Sequence, residues 1–317
     1  MDGSQAGTAQ KALKGMGSLA LRPRAVRRAV AAMAATAHRS LVLVFHRLLQ
    51  EGESTGGVVP AVPAAAFRSQ LEELLDIGDI VPLESIIMSE HSDRRPRFAI
   101  TLDDDYRSHH DVALPILRAA GVPATFFLGG RSLHSLGPLW FETLDRIVLS
   151  VGPERPAREL GLREGVDAAA IAQACERDPR MQRIVEAWGD GTGQHLTPDE
   201  IVSLSAAGMA VGFHTLHHPR LAGLPLDQVR AALTNGRVEL QELLGRRMTQ
   251  FAYPHGKGDP AVAAIVQEAG FQAAWTGRPV PVLRGSDPFL RGRWEAGPQS
   301  GHAFVARVFA RLGRVRS

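Results

Sequence analysis

The sequence predicts an α/β protein built on a parallel, barrel-like sheet. Short apolar runs typical of buried strands alternate with amphipathic stretches typical of helices along most of the 317 residues. Several of these runs end in Asp or His, and parallel α/β sheets gather such groups at the carboxyl ends of their strands. A hydrophobic content of 44% and a charged content of 22% are those of an ordinary globular protein with a sizeable core.

The first part of the chain alternates regularly. Residues 41–45, 80–81, 98–102 and 123–128 predict strands, because each run is short, apolar and bounded by polar or turn-forming residues. Residues 67–77 have apolar side chains at helical spacing and predict an amphipathic helix. Residues 111–120 predict a second helix, which includes Pro115 and is ended by Gly121.

Residues 137–195 interrupt the alternation. Residues 140–148 and 168–188 predict helices, and the connection between them is rich in Pro, Gly and charged residues. We therefore expect a barrel unit over residues 39–317 with a mostly helical insertion at about 137–195, and no separate second domain.

The alternation resumes after this insertion. Thr197-Pro-Asp-Glu200 forms a capping box with proline in the first turn, which predicts a helix that ends at Gly208. Residues 209–213, 250–253 and 271–275 predict further strands, and 227–244 and 259–270 predict the helices between them. An amphipathic helix is predicted over 302–312.

Residues 1–38 predict a basic tail and helix. The first forty residues contain seven Lys and Arg against Asp2 alone, which would suit peripheral contact with an anionic membrane surface. The net charge of +3 is too small to imply a nucleic-acid partner, and we expect none. No run reaches the roughly 18 apolar residues of a membrane span, and Cys175 alone cannot form an intrachain disulfide. We expect a cytoplasmic protein.

Three consecutive carboxylates, Asp103, Asp104 and Asp105, follow the strand predicted at 98–102. Adjacent carboxylates repel one another, and a bound cation would relieve that repulsion. His214 and His218 follow the strand predicted at 209–213 and lie four residues apart, so both can point at one ion. With Asp104 they form a set of two imidazoles and one carboxylate, which leaves a coordination position for water, as in catalytic zinc sites.

The neighbouring carboxylates can divide the chemistry. Side chains at a strand end alternate in direction, so one of Asp103 and Asp104 can coordinate the ion while the other accepts a proton. A divalent ion lowers the pKa of bound water toward about 7, and a nearby carboxylate can help to deprotonate it. The pattern therefore predicts hydrolysis of an amide or ester whose carbonyl the ion polarises.

Four stretches resemble motifs of the polysaccharide deacetylases, carbohydrate esterase family 4. Thr101-Leu-Asp-Asp-Asp-Tyr106 is similar to the first motif, Thr-Phe-Asp-Asp-Gly-Tyr. His214-Thr-Leu-His-His-Pro219 resembles the second, His-Ser/Thr-x-x-His-Pro. Phe251-Ala-Tyr-Pro-His-Gly256 is similar to the third motif, which contributes to the substrate groove, and residues 43–47 are similar to a Tyr-His-Arg strand near the start of many members.

This resemblance implies a distorted (β/α) barrel of about seven parallel strands and a divalent metal, usually zinc, with Co, Ni or Mn as substitutes. It implies Asp103 as the general base, and Asp104, His214 and His218 as metal ligands. The backbone N–H of His255 stands where the family binds the oxyanion. The implied reaction removes an acetyl group from an N- or O-acetylated sugar, in a polysaccharide or a lipid-linked glycan precursor.

The chain departs from the family pattern at three places. Asp105 stands where the family has glycine, and Ala252 stands where an arginine is frequent. We expect Arg293 to replace that arginine as the partner of the base. The late Leu-x-His that often supplies the general acid is not visible, which leaves His255 and His302 as candidates. The residues expected to contact substrate are Tyr106, Tyr253, His46 and Trp294, the last by stacking on a sugar ring.

Two alternatives stay open at this point. The same site could hydrolyse a cyclic amide or another non-peptide C–N bond. The departures at 105 and 252 also fit a catalytically impaired carbohydrate-binding protein that has kept the barrel.

Overall fold

The computed structural model describes residues 39–54, 56–88, 95–190 and 195–313. The basic tail and helix predicted at 1–38 lie outside these residues. In the described part of the chain the strands are β1 (Ser40–Phe45), β2 (Arg47–Leu49), β3 (Ala61–Pro63), β4 (Asp79–Ile80), β5 (Arg97–Asp103), β6 (Thr125–Leu128), β7 (Ala210–Phe213), β8 (Gln250–Ala252), β9 (Ala273–Trp275) and β10 (Trp294–Glu295).

Seven strands form the main sheet in the order β10-β1-β5-β6-β7-β8-β9, and every ladder in it is parallel. The sheet curls into a half-barrel, which confirms the predicted barrel of about seven parallel strands. The membership differs from the prediction in one place. The strand predicted at 80–81 is a two-residue branch beside the start of β5, and β10, which the sequence did not reveal, takes the seventh position beside β1.

The helices surround the sheet. They are α1 (Ala64–Ile77), α2 (Leu83–Met88), α3 (Leu114–Ala120), α4 (Trp140–Val151), α5 (Glu154–Glu159), α6 (Ala168–Arg177), α7 (Pro179–Ala187), α8 (Pro198–Ala206), α9 (Leu226–Thr234), α10 (Arg237–Leu244), α11 (Pro260–Glu268) and α12 (Gly301–Leu312). No helix in the described residues is long and apolar enough to cross a membrane.

Two helices predicted as continuous are each divided. The helix predicted at 168–188 breaks at Asp178 because Pro179 opens α7 and Asp178 caps it. The helix predicted at 227–244 breaks at Gly236, which has a φ of 81°. A side chain at Gly236 would meet the carbonyl oxygen of Gly129 and the side chain of Leu216, each at 3.0 Å. The break therefore lets α10 approach the loop after β7.

The connection between β6 and β7 carries helices α4 to α7, where the insertion was predicted. These helices pack around a small apolar cluster of their own, which includes the fully buried Ile171, Cys175 and Val185. The main core lies between the sheet and the outer helices. The boundaries of the barrel and of the insertion stay predictions.

Candidate active site

The acidic cluster lies at the carboxyl end of β5, where the strand turns sharply. Asp103 is the last residue of β5, and Asp104 has a left-handed φ of 72°. Asp tolerates this conformation better than most residues. The positive φ therefore lies one residue before Asp105, the position where the family motif has glycine.

Asp104, His214 and His218 converge. Their potential ligand atoms all lie within 4.8 Å of one another. The Nε2 atoms of His214 and His218 each lie 3.6 Å from Oδ1 of Asp104. Ligands about 2.0–2.2 Å from a tetrahedral zinc ion lie about 3.3–3.6 Å apart, so the spacing fits one ion among these atoms.

The two imidazoles are prepared to act as neutral ligands. Nδ1–H of His214 donates to the carbonyl oxygen of Ala252 at 2.8 Å, which leaves the lone pair of Nε2 toward Asp104. Burial lowers the pKa of His214 to about 4 and that of His218 well below its ordinary value. Both rings are therefore uncharged at neutral pH, the form that binds a metal.

Asp103 is held by Arg293. Two parallel hydrogen bonds of 2.6 Å join the Nη1 and Nη2 atoms of Arg293 to the two carboxylate oxygens of Asp103. Nη1 also donates to Oγ1 of Thr101 at 3.2 Å, and both charged residues are buried. Burial would raise the pKa of Asp103, but the charge and hydrogen bonds of Arg293 outweigh it and lower this pKa to about 2.

The neighbouring carboxylate has no such partner. Burial, followed by repulsion from Asp103, raises the pKa of Asp104 well above its ordinary value. A divalent cation among Asp104, His214 and His218 would supply the missing positive charge. The donor set, two neutral imidazoles and one buried carboxylate, therefore fits a divalent ion.

A pocket of about 330 Å³ opens over these residues. His46, His255 and Glu295 lie along it, and Nδ1 of His46 is 3.8 Å from the carboxylate of Glu295. The ring of His255 lies 4.6 Å from that of His218. Glu176, from α6, faces His255 at 3.8 Å. His46 and His255 therefore both line the pocket, and their roles toward a substrate stay predictions.

Three residues expected to contact substrate are placed differently. Trp294 is 2% exposed and stacks on Phe304 of α12, because alternation along β10 turns Arg293 and Glu295 to the pocket and Trp294 to the core. The expectation that Trp294 stacks on a sugar ring is therefore wrong. Tyr253 lines the pocket, but its hydroxyl donates to the carbonyl oxygen of Phe289 at 2.8 Å and so does not point to a substrate.

Tyr106 faces away from the pocket. It lines a separate cavity of about 440 Å³ on the other side of Val59, and this corrects its expected role as a substrate contact. His302, a candidate acid, is exposed on α12 and does not line the pocket.

Several neighbours of the site come from α4, and nothing in their spacing pointed to them. The ring of Phe141 packs edge-on against that of His218 at 5.1 Å. Glu142 pairs with His195 at 3.0 Å. Asp145 accepts hydrogen bonds from the backbone of Val58 and Val59, which form part of the pocket wall. The helical segment therefore shapes the pocket directly.

A second group of potential ligands lies on the surface. His110, Asp111 and Glu200 come together there, but Arg107 pairs with Asp111 at 3.3 Å and with Glu200 at 3.1 Å. This arginine already offsets part of the charge of the two carboxylates, so the buried cluster is the better candidate for a metal site.

Comparisons with known proteins bear on the family and the fold of this chain. The family model described as polysaccharide deacetylase matches residues 90–274, more than half of the chain. The protein YxkH of Bacillus subtilis (strain 168) is 21% identical over 273 residues, which cover 84% of this chain and 75% of YxkH.

Solved structures show the same fold. The Streptococcus pyogenes deacetylase PplD, solved with acetate, has a TM-score of 0.58 at 16% identity over 86% of this chain and 98% of PplD. IcaB from Ammonifex degensii has a TM-score of 0.57 at 20% identity over 87% of this chain and 97% of IcaB. By the match of its family model, together with this fold, the chain belongs to the polysaccharide deacetylase family.

Proposed function

We propose that this protein is a metal-dependent deacetylase that removes an acetyl group from an N- or O-acetylated sugar by hydrolysis. Family membership supports acetyl removal from a sugar. The metal dependence rests on one observation above all, the convergence of Asp104, His214 and His218 at ligand spacing beneath a pocket. A divalent ion bound there would polarise the acetyl carbonyl and lower the pKa of the attacking water. Zinc suits two imidazoles and one carboxylate, and Co, Ni or Mn would substitute.

In this proposal the residues of the chain divide the remaining work. Asp103 takes the proton of the attacking water, and Arg293 holds its carboxylate in one orientation through two hydrogen bonds. His255, at the edge of the pocket, is the candidate both for binding the oxyanion through its backbone N–H and for returning a proton to the leaving group. His46 and Glu295, whose Nδ1 and carboxylate oxygen lie 3.8 Å apart, line another part of the same pocket.

The catalytically impaired alternative is weakened by two contacts. Ala252 cannot pair with Asp103 as the arginine that is frequent at this position in the family would. Arg293 donates hydrogen bonds to Asp103 instead. The carboxylate of Asp105 accepts hydrogen bonds from Gly129 and Arg131 and does not line the pocket, so it adds no charge to the pocket surface. The departures from the family pattern are thus compatible with catalysis.

Acetate release from acetylated sugars tests the proposal. The full-length protein is stripped with a chelator, reloaded with zinc or cobalt, and offered N-acetylated oligosaccharides, O-acetylated sugars and a cyclic amide. We expect activity on an acetylated sugar that depends on the added ion. Activity on the cyclic amide alone would favour the alternative hydrolase.

Three variants sharpen the test. His214→Ala should lose both the ion and turnover, while His217→Ala, whose side chain is exposed in the same loop, should keep both. Asp103→Asn should keep the ion and lose about 10²–10⁴ in turnover, the usual contribution of a general base. An Asp103→Asn protein with wild-type turnover would contradict the assigned base. Ion-independent binding of glycans without turnover would favour the impaired alternative. The membrane contact and cytoplasmic location stay predictions.

A further inference from the structure

Asp105 is the one member of the acidic cluster that the reaction does not use. Its side chain is 3% exposed and points away from the pocket. Its two carboxylate oxygens accept hydrogen bonds from the backbone N–H groups of Gly129 and Arg131, each at 2.8 Å. These donors lie just beyond the carboxyl end of β6, the strand next to β5 in the sheet.

The segment that Asp105 holds is a tight turn. Gly130, between the two donors, has a left-handed φ of 78°. Backbone N–H groups on both sides of a left-handed residue form a small concavity that binds anions. In this chain the anion is supplied by the protein itself, through Asp105. We call residues 129–131 the β6 turn.

The β6 turn contacts the loop of the histidine ligands at two points. The buried guanidinium of Arg131 donates through Nη1 to the carbonyl oxygen of Leu216 at 2.8 Å. Leu216 lies midway between His214 and His218. A side chain at Gly129 would come within 2.5 Å of the carbonyl oxygen of Thr215, so the two backbones are already in close contact.

The histidine loop needs such support. Thr215 and His218 have positive φ values of 66° and 49°, which are unfavourable for residues other than glycine. Strained conformations of this kind persist only where the surrounding structure imposes them. The contacts from Arg131 and Gly129 are part of what imposes them here.

We propose that Asp105 is a positioning residue for the metal site, acting through the β6 turn and Arg131 on the loop that carries His214 and His218. This inference rests on the metal site of the proposed function. It assigns a role to the position where the family motif has glycine. Asp105 would couple the strand end that supplies Asp104 to the loop that supplies the two imidazoles, so that the ligands stay at bonding distance before an ion arrives.

Metal affinity tests this inference without any need for turnover. The dissociation constants of zinc and cobalt are measured by competition with a chromogenic chelator for the wild type, Asp105→Asn and Asp105→Gly. Groups that orient metal ligands typically contribute about 10- to 100-fold in affinity, and we expect a loss of at least about tenfold. The visible absorption of bound cobalt should also change, because it reports the coordination geometry.

A control separates positioning from general destabilisation. Asp259 also accepts a backbone N–H, that of Val262 at 2.9 Å, but it caps α11 and does not line the pocket. Asp259→Ala should lower the melting temperature of the ion-free protein and leave the metal affinity unchanged. Equal losses of affinity in the Asp105 and Asp259 variants at matched loss of stability would overturn the proposal.

Arg131→Met provides a second route if the Asp105 variants do not fold. It removes the donor to Leu216 and should also weaken metal binding. In the double variant with Asp105→Asn, the loss of affinity should be smaller than the product of the two single losses, because both residues act through the same turn. Asp105 variants that bind the ion within about twofold of the wild-type affinity, instead of with the tenfold loss expected, would overturn the role of Asp105. Such a result would leave the proposed function standing. A wild-type protein that binds no ion would overturn the proposed function and this inference together.

Discussion

Replacing Arg293 with methionine should destabilise the protein by about 3–5 kcal/mol near neutral pH, the usual cost of removing one partner of a buried ion pair. The reason is visible at Asp103. This carboxylate is 3% exposed and receives two hydrogen bonds of 2.6 Å from Arg293, which is itself 2% exposed. Without the guanidinium, Asp103 would be a buried charge beside a second carboxylate.

The pKa of Asp103 gives an independent magnitude. It lies at about 2, compared with 3.8 for an ordinary Asp. At about 1.4 kcal/mol per pKa unit, this difference corresponds to about 2–3 kcal/mol of stability near pH 7. This pKa is already net of the cost of burying the carboxylate. Removing Arg293 would leave that cost unopposed, so we expect a loss of about 3 kcal/mol or more.

The pH dependence has a definite sign. In the wild type the folded pKa of Asp103 lies below the unfolded one, so its contribution is present above about pH 3.8 and is lost as the pH falls toward about 2. In Arg293→Met, burial and Asp104 would raise the folded pKa above the unfolded one. Protonation would then stabilise the folded variant, so its deficit relative to wild type should shrink as the solution becomes acidic.

Urea unfolding of the ion-free proteins, followed by circular dichroism at about pH 7 and about pH 4.5, measures this deficit. Arg237→Met is the matched control: Arg237 is also buried, but its guanidinium donates to the carbonyl oxygens of Ala269 and Met248. Its deficit should not depend on pH in this way. A deficit below about 1 kcal/mol for Arg293→Met, or one unchanged by acid, would refute the reasoning about the pair.

Two further predictions concern residues outside the ligand set. Burial lowers the pKa of the fully buried His109 to about 4, below its unfolded value of 6.5, so its contribution is fully present above about pH 6.5 and about 3 kcal/mol is lost as the pH falls through 4. His109→Gln should flatten that part of the pH–stability curve, measured by urea unfolding; an unchanged slope would contradict the prediction. Trp294→Ala should cost about 3–5 kcal/mol of stability by leaving a cavity beneath α12. It should leave the KM for an acetylated sugar unchanged, whereas a raised KM with intact stability would restore Trp294 as a sugar contact.

The parts of the site that follow from local pattern were predictable. Asp104, His214 and His218 come directly after apolar runs, and parallel strands bring their carboxyl ends together, so the sequence alone predicted their convergence. Arg293 was predictable only as a replacement for a missing arginine. The bidentate geometry with Asp103 depends on β10, a two-residue strand that lacks enough apolar residues to be recognised.

Other features depend on contacts between distant segments, which no local pattern records. The direction of Trp294 follows from the register of β10 on β1, which pairs it with Leu43. The reason for Gly236 in the middle of a predicted helix is the close approach of Gly129 and Leu216, which are distant from it in sequence. Asp105 is one of three consecutive carboxylates in the sequence, and only the structure shows that it accepts hydrogen bonds from the turn after β6.

The single cysteine gives the insertion a natural chemical reporter. Cys175 is fully buried between α4 and the helices that follow, and burial raises the pKa of its thiol to about 11. A thiol reagent can therefore reach it only when these helices separate. Glu176, on the same helix α6, faces His255 at the pocket. The rate of Cys175 alkylation would therefore report how readily α6 separates from the neighbouring helices beside the pocket, without any added label.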